Sequence, residues 1–185
     1  ADCTAGSGAD TINLPAGTYT LAIAGTGEDA ALTGDLDITD DLTINGAGPG
    51  TTIIDGGALD RVFHILAGST VDISGVTIQN GNIIDGDGGG ILNSGTATLS
   101  NSIVTGNSAI GSFSGGGGVR NNDLGTMTIA DSTVTANSAG HGGGILNATN
   151  IFASTTLIIS NSTVSDNTAT NGSLGGGGVR NGWPA

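Results

Sequence analysis

The chain has 185 residues, of which 36 are glycine and only 3 % are aromatic, and its formal net charge is −13 with no lysine. So few large apolar side chains argue against an ordinary globular core, and the lack of a strict triplet period excludes collagen. The acidic balance argues against nucleic acid and anionic membranes as partners, because both repel a negatively charged protein.

The first half of the sequence is acidic and irregular. Residues 1–87 contain 13 of the 16 carboxylates, and short apolar runs alternate there with glycine, asparagine and proline. Such alternation predicts strands, and no 3.6-residue period predicts a helix. The predicted strands of this half are 11–14, 18–23, 36–38, 42–44, 52–54, 62–66, 71–73 and 76–78.

A repeat dominates the sequence from residue 88 onward. The segment LSNSIVTGNSA at 99–109 returns as IADSTVTANSA at 129–139 and as ISNSTVSDNTA at 159–169, with starts 30 residues apart. Glycine runs leading into an apolar-x-Asn triplet occur as GGGILN or GGGVRN at 88–93, 116–121, 142–147 and 176–181. Self-similarity at a fixed period predicts a solenoid.

Each repeat offers three short strands, which cannot bury a face on their own but do so when coils stack about 4.8 Å apart. The sequence therefore predicts an all-β fold, a single-stranded right-handed parallel β-helix of roughly six to seven coils with three strands per coil. We expect one domain, 1–185, with irregular acidic coils at 1–87 and regular repeats at 88–185.

Asparagine returns at two fixed places of the repeat. Equivalent positions lie above one another in a solenoid, so an amide can donate to one neighbour and accept from the other. We therefore expect two inward-facing structural ladders rather than a sugar or metal site. They comprise Asn93, Asn121, Asn147 and Asn181 in one, and Asn107, Asn137 and Asn167 in the other.

The glycine runs and the arginines also have fixed places. The glycines are predicted at corners that need a sharp bend or a positive φ. Arg120 and Arg180 stand where Leu92 and Leu146 stand in the other repeats. Because an unpaired arginine does not tolerate an apolar core, this position is predicted to face outward.

Parallel β-helices include polysaccharide enzymes, so catalytic groups were sought. The string GHG at 140–142 occurs in polygalacturonases, but the other motifs of that family are missing, and the only adjacent aspartates, Asp40 and Asp41, lie 100 residues earlier. We interpret His141 as a turn residue. Neither a calcium cluster with a basic group nor a positioned carboxylate pair can be identified. No catalytic residue is predicted, and an enzyme is the less favoured interpretation.

Two pairs of alternating carboxylates are weak candidates for a calcium site, the only cofactor that the sequence suggests. These are Asp35 with Asp37, and Asp85 with Asp87, which offer the hard oxygen ligands that calcium prefers. The complete EF-hand and β-roll patterns are missing. Threonine pairs at 96/98, 126/128 and 155/156 suggest an ice-binding array, but the third is shifted in register and threonine also suits exposed strand positions.

The string CTAGSGADTINLPAGTY at 3–19 resembles secreted bacterial proteins of the CSLREA-domain type, in which a CSLREAI segment commonly precedes such a stretch. That segment is absent here. Cys3 is the only cysteine, so it is a free thiol, an intermolecular link or half of a pair with an upstream partner. The glycine runs and V-x-x-N strings are similar to the GGAI and FxxN repeats of chlamydial polymorphic outer-membrane proteins. The resemblance implies a right-handed β-helix and export, but no activity.

Three hypotheses of function remain open. The first is an extracellular structural or adhesive module, a cell-surface passenger or filament subunit without catalytic activity, that self-associates by end-to-end coil stacking. The second is a polysaccharide-binding or polysaccharide-cleaving enzyme, and the third is a calcium-stabilised secreted passenger. We expect a secreted product, mature or excised from a longer protein, whose partners are other copies, glycans or a cell surface. No run of 18 apolar residues predicts membrane insertion.

Overall fold

A computed structural model gives the fold and describes residues 8–27, 29–30, 32–148, 154–171 and 175–182. Within these ranges the chain forms 22 short strands and no helix, and strands that occupy the same place in successive turns pair in parallel. The predicted all-β parallel solenoid is therefore confirmed. Cys3 lies outside the described residues.

The first two turns contain three strands each. These are β1 (Asp10–Leu14), β2 (Gly17–Thr20), β3 (Leu36–Ile38), β4 (Leu42–Gly46), β5 (Thr52–Asp55) and β6 (Phe63–Ile65). The second strand is shorter than predicted, because the chain leaves the sheet after Thr20 and Ile23 is exposed. The segment between β2 and β3 therefore lies outside the regular coil.

The later turns contain four strands each. The third turn consists of β7 (Thr70–Ser74), β8 (Thr77–Gln79), β9 (Asn82–Ile84) and β10 (Ile91–Asn93). The fourth consists of β11 (Thr96–Ser100), β12 (Ile103–Thr105), β13 (Ser108–Ile110) and β14 (Val119–Asn121). The last two consist of β15 (Thr126–Ala130), β16 (Thr133–Thr135), β17 (Ser138–Ala139), β18 (Ile145–Asn147), β19 (Thr156–Ser160), β20 (Thr163–Ser165), β21 (Thr168–Ala169) and β22 (Val179–Asn181).

The strands stack into four parallel sheets. Sheet A contains β1, β4, β7, β11, β15 and β19; sheet B contains β2, β5, β8, β12, β16 and β20. Sheet C contains β3, β6, β10, β14, β18 and β22; sheet D contains β9, β13, β17 and β21. Sheets A, B and C each contain six stacked strands, which span about five full turns from the first strand of a sheet to its last. The prediction of six to seven coils was slightly too high.

Sheet D corrects the prediction of three strands per coil. After Asn107 and its equivalents the chain extends again instead of turning directly into the glycine run. The small inward side chains Ala109 and Ala139 pack with Ile83 in a separate buried cluster. This fourth side is narrow, since only a methyl group from each regular turn fills the space behind it.

The core is a continuous column of aliphatic side chains inside the solenoid. In sheet A, Ile44, Ile73, Leu99 and Ile129 lie directly over one another, and all four are buried. Burial of each such side chain contributes about 1.5–3 kcal/mol. The spacing between these residues is 29, 26 and 30, so turns of different length still return an aliphatic residue to the same inward place.

The glycine runs form a backbone ladder of their own. The amides of Gly88, Gly89 and Gly90 donate to the carbonyls of the next run at 3.0–3.1 Å. A Cβ on Gly89 would lie only 2.6 Å from the carbonyl oxygen of Gly117. The predicted positive φ holds for the first glycine, with 68° at Gly88. The glycines that follow it are required by the close approach of two backbones.

The prediction that the arginine position faces solvent is wrong for Arg120. Arg120 lies on the face of β14 opposite to Val119, yet it is only 2 % exposed. The segment before each glycine run lies over this face, as the close approach of Gly115 to Leu146 shows. Burial lowers the pKa of Arg120, and the carboxylates of Asp87 and Asp123 oppose this effect.

Candidate functional site

The first asparagine ladder runs along the inner face of sheet C. The Nδ2 of Asn93 donates to Asn121 Oδ1 at 2.8 Å, Asn121 donates to Asn147 at 2.8 Å, and Asn147 donates to Asn181 at 2.7 Å. Asn93, Asn121 and Asn147 are buried. Their amides therefore meet one another and the backbone rather than a ligand.

The second ladder lies at the corner between sheets B and D. Asn107 donates to Asn137 at 3.0 Å, and Asn137 donates to Asn167 at the same distance. The side-chain oxygens also accept backbone amides of the preceding turn, for example that of Gly81 at 2.9 Å. These side-chain amides are neutral and are already hydrogen-bonded to one another and to the backbone. Both ladders therefore hold the coils in register and supply no reacting group.

A third ladder was not predicted from the sequence. Ser102, Ser132 and Ser162 mark the corner between sheets A and B, and each hydroxyl oxygen accepts a backbone amide from the turn before it at 3.1–3.2 Å. Each hydroxyl donates to the carbonyl two residues earlier at 2.7 Å. The sequence signal for this third ladder is the serine that stands at the same place in all three repeats.

The N-terminal turns carry a cluster of ionisable side chains on the outer side of sheet C. Asp37 of β3 lies beside His64 of β6, and Asp37 Oδ1 is 3.2 Å from His64 Nδ1. Asp29, from the segment between β2 and β3, places its Oδ1 3.2 Å from the same nitrogen. The Asp29 side chain is 67 % exposed, whereas that of Asp37 is fully buried.

Two further carboxyls and an arginine adjoin these residues. Arg61 Nε lies 3.2 Å from Asp35 Oδ2 and 3.9 Å from Asp60 Oδ1, and the backbone amide of Arg61 also donates to Asp60 Oδ1 at 2.7 Å. Burial raises the pKa of Asp35 to about 7, although Arg61 lowers it. Burial likewise raises the pKa of Asp60.

We call Asp29, Asp35, Asp37, Asp60, Arg61 and His64 the His64 cluster. It combines three buried carboxyls with one guanidinium, and buried charge of one sign requires protons or a cation to balance it. Two of the four calcium candidates, Asp35 and Asp37, therefore lie in one place. The sequence did not indicate His64 or Asp29, because neither lies near the candidates in a recognisable spacing.

The other calcium candidates lie elsewhere. Asp85 and Asp87 follow β9 and line an open cavity of about 460 Å³ together with Phe113. Asp87 Oδ1 accepts the backbone amide of Gly115 at 2.7 Å. Among the described residues, no third acidic or histidine side chain completes a metal-binding group with this pair.

The residues of the polygalacturonase-like string do not form an accessible site. His141 is 1 % exposed, and its backbone bridges to the run at Gly115. Asp40 and Asp41 stand between β3 and β4, where Asp41 Oδ1 accepts the amide of Thr70 at 2.7 Å. The histidine and the aspartate pair therefore belong to turns well apart along the axis.

Only one of the two threonine columns on sheet A continues into the last strand of the sheet, β19. Thr156, not Thr155, stands over Thr126, and Ile158 stands over Thr128. The threonine pair at 155/156 is therefore shifted in register relative to the first two pairs, as predicted, because only Thr156 falls in a threonine column. In the last turn, the outer face of sheet A therefore carries both a threonine and an isoleucine.

Comparison with known proteins assigns no family. No protein-family model matches the chain, and no curated protein or solved structure gives a significant match. The resemblance to CSLREA-type proteins and to polymorphic outer-membrane repeats therefore stays a prediction. The described part of the chain has no helix of the length and hydrophobicity that a membrane span requires.

Proposed function

We propose that the chain is an extracellular structural or adhesive module without catalytic activity, a cell-surface passenger or filament subunit that joins further coils at its ends. The observation that carries this proposal is that the apolar interior is uncovered at both ends of the described solenoid. An end of this kind presents unpaired strand edges and apolar side chains, and both favour the docking of another coil.

The N-terminal end is formed by β1, β2 and β3, which are the edge strands of sheets A, B and C. Ile12 and Tyr19 are 45 % and 37 % exposed there, although they lie over the buried Ile44 and Ile54 of the next turn. They contribute to an open cavity of about 150 Å³ that aliphatic and aromatic side chains line. This surface supports the docking of an apolar partner surface.

The C-terminal end has the same character. Ile159 and Val179 are 37 % and 42 % exposed, whereas Ile129 and Ile145, one turn earlier, are completely buried. The difference arises only because no described turn follows. Both ends of the described solenoid therefore expose the last members of inward-facing apolar columns, and this supports the stacking of one copy on another.

The distribution of charge favours head-to-tail stacking over stacking of like ends. Thirteen of the 16 carboxylates lie at or before Asp87, whereas Arg120 and Arg180 lie in the second half. Two N-terminal ends would repel each other, and the net charge of −13 opposes any association at low ionic strength. We therefore expect salt to strengthen the assembly by screening this repulsion.

Sedimentation velocity of the chain over a wide concentration range, at low and at moderate ionic strength, tests the proposal. We expect a series of oligomers that grows with concentration and with salt. The Ile12→Asp variant places a charge on the inward column of the N-terminal end and should abolish the series. The matched control is Asn13→Asp, which adds the same charge to an exposed residue of the same strand.

Two outcomes of these measurements would contradict the proposed self-association. A chain that sediments as a monomer at all concentrations and both ionic strengths would overturn the self-assembling version. Equal loss of association in the Ile12→Asp and Asn13→Asp variants would also contradict it, because net charge alone would then explain the effect.

A further inference from the structure

Three side chains of the His64 cluster converge on one point outside the solenoid. The nitrogen His64 Nδ1 is 3.2 Å from Asp29 Oδ1 and 3.2 Å from Asp37 Oδ1. One ligand atom from each residue lies within 4.8 Å of the others. We propose that Asp29, Asp37 and His64 bind a divalent transition-metal ion, of which zinc is the reference.

The distances fit a bound ion as well as the hydrogen bond between His64 Nδ1 and Asp37 Oδ1. Zinc binds imidazole nitrogen and carboxylate oxygen at about 2.0–2.2 Å, so ligand atoms at neighbouring tetrahedral positions lie about 3.4 Å apart. The two nitrogen–oxygen separations here are close to that value. A neutral imidazole with a proton on Nδ1 donates to one carboxylate only. A cation between the three atoms would bind the imidazole nitrogen and both carboxylates together.

The surroundings supply uncompensated negative charge. Asp60 is 1 % exposed, and its Oδ2 has no hydrogen-bond partner among the described residues. The carboxylate of Asp37 raises the pKa of Asp60 and His64 lowers it, so the Asp60 carboxyl lies within electrostatic range of the ligands. Arg61 is the one guanidinium beside Asp35 and Asp60. A divalent cation at Asp29, Asp37 and His64 offsets the remaining charge.

The ligand set selects the class of ion. Calcium takes six to eight oxygen ligands and does not favour imidazole nitrogen. One imidazole with two carboxylates suits zinc and its neighbours in the first transition row. Three protein ligands leave a fourth position for water. The proposed site shares Asp37 with the four calcium candidates of the sequence and adds the nitrogen ligand of His64.

The ion would fasten three parts of the chain. Asp29 belongs to the segment between β2 and β3, Asp37 to β3, and His64 to β6 in the second turn. The ion thus ties a segment outside the regular coil to two successive turns. Because a ligand that binds only the folded state stabilises it, zinc should raise the melting temperature. The inference is independent of the proposed self-association.

Isothermal titration of the untagged, chelator-treated full chain with Zn²⁺ tests the site, and the visible absorption of bound Co²⁺ gives a second readout. The variants are Asp29→Asn, which changes an exposed side chain, and His64→Gln. The matched control is Asp72→Asn, which removes an exposed carboxylate from β7 of sheet A. Circular dichroism of each variant checks that the strands are intact.

We expect one Zn²⁺ ion per chain, with affinity reduced at least about tenfold in Asp29→Asn and more in His64→Gln, and unchanged in Asp72→Asn. Zinc should raise the melting temperature of the parent chain and not that of His64→Gln, and Ca²⁺ at the same concentration should do neither. Absence of saturable Zn²⁺ binding, or equal binding by the parent and His64→Gln, would overturn the proposal. Monomeric behaviour in sedimentation would leave it standing.

Discussion

Asn121 illustrates how much of the structure depends on single polar side chains. It is completely buried, its Nδ2 donates to Asn147 and to two backbone carbonyls, and its Oδ1 accepts from Asn93. Both polar atoms of the Asn121 side chain therefore have hydrogen-bond partners within the protein. The ladder is stable because the partners of each amide are other members of the repeat and the adjacent backbone.

We expect Asn121→Ala to lower the free energy of unfolding by about 3 kcal/mol, because it removes the buried side chain that joins Asn93 to Asn147 and that donates to two backbone carbonyls. The matched control is Thr128→Ala, a half-buried outward position of β15, which should change stability by less than about 1 kcal/mol. Urea unfolding followed by circular dichroism measures both. Similar small effects in the two variants would show that the ladder contributes little.

The raised pKa of Asp35 predicts how the free energy of unfolding depends on pH in the absence of metal. Its pKa is raised to about 7 in the folded chain, mainly by burial, against 3.8 when exposed. Between these values the folded chain binds a proton that the unfolded chain has lost, so stability falls as the pH rises from about 4 to 7. Above pH 7 this contribution is constant.

The Asp35→Asn variant isolates that contribution. Relative to the parent, it should flatten the fall in unfolding free energy between pH 4 and 7, an effect of up to about 4 kcal/mol. Urea unfolding at several pH values in the presence of a chelator measures it. Parallel pH profiles for the parent and the variant would show that the carboxyl of Asp35 titrates normally.

At the level of strands and turns, the glycine runs behave as elements and not as mere connections. Gly118 donates its amide to the carbonyl of Gly144 at 3.0 Å, and a Cβ on Gly118 would lie 2.8 Å from that oxygen. Gly178 takes the same place in the last described turn, where a Cβ meets only Val164 at an ordinary 3.6 Å. The same residue type thus stands in two different environments.

We expect Gly118→Ala to destabilise the chain by about 3 kcal/mol, because the added methyl group pushes two backbones apart. Gly178→Ala should change stability by less than about 1 kcal/mol in dilute solution, since among the described residues only Val164, at 3.6 Å, would contact the added methyl group. Thermal unfolding of both variants, measured where the chain is monomeric, distinguishes them. Equal losses would mean that backbone conformation, and not close approach, makes glycine necessary.

The regular strands could be predicted from the sequence because their side chains repeat. The threonine pairs 96/98 and 126/128 lie on β11 and β15, and the asparagines of the repeat lie one above another. Sheet D was missed because its strands are two or three residues long and three of the four carry alanine, which gives no strand signal. The burial of Arg120 was missed because it depends on a neighbouring segment that lies over sheet C.

At the scale of the whole molecule, the His64 cluster shows the limit of prediction from a pattern. Its residues come from the irregular first half, where no repeat aligns one turn with the next. The pairing of Asp37 with His64 follows from the register of β3 with β6, and the position of Asp29 follows from a segment outside the coil. Neither could be obtained from spacing in the sequence.

The central claim is that the solenoid continues across its ends from one copy to the next. Electron cryo-microscopy or fibre diffraction of the chain, concentrated at moderate ionic strength, tests this most directly. We expect filaments with a strand spacing of about 4.8 Å along the filament axis, unbroken where one copy meets the next. Assemblies in which copies touch by their sides, or a field of separate monomers, would contradict the claim.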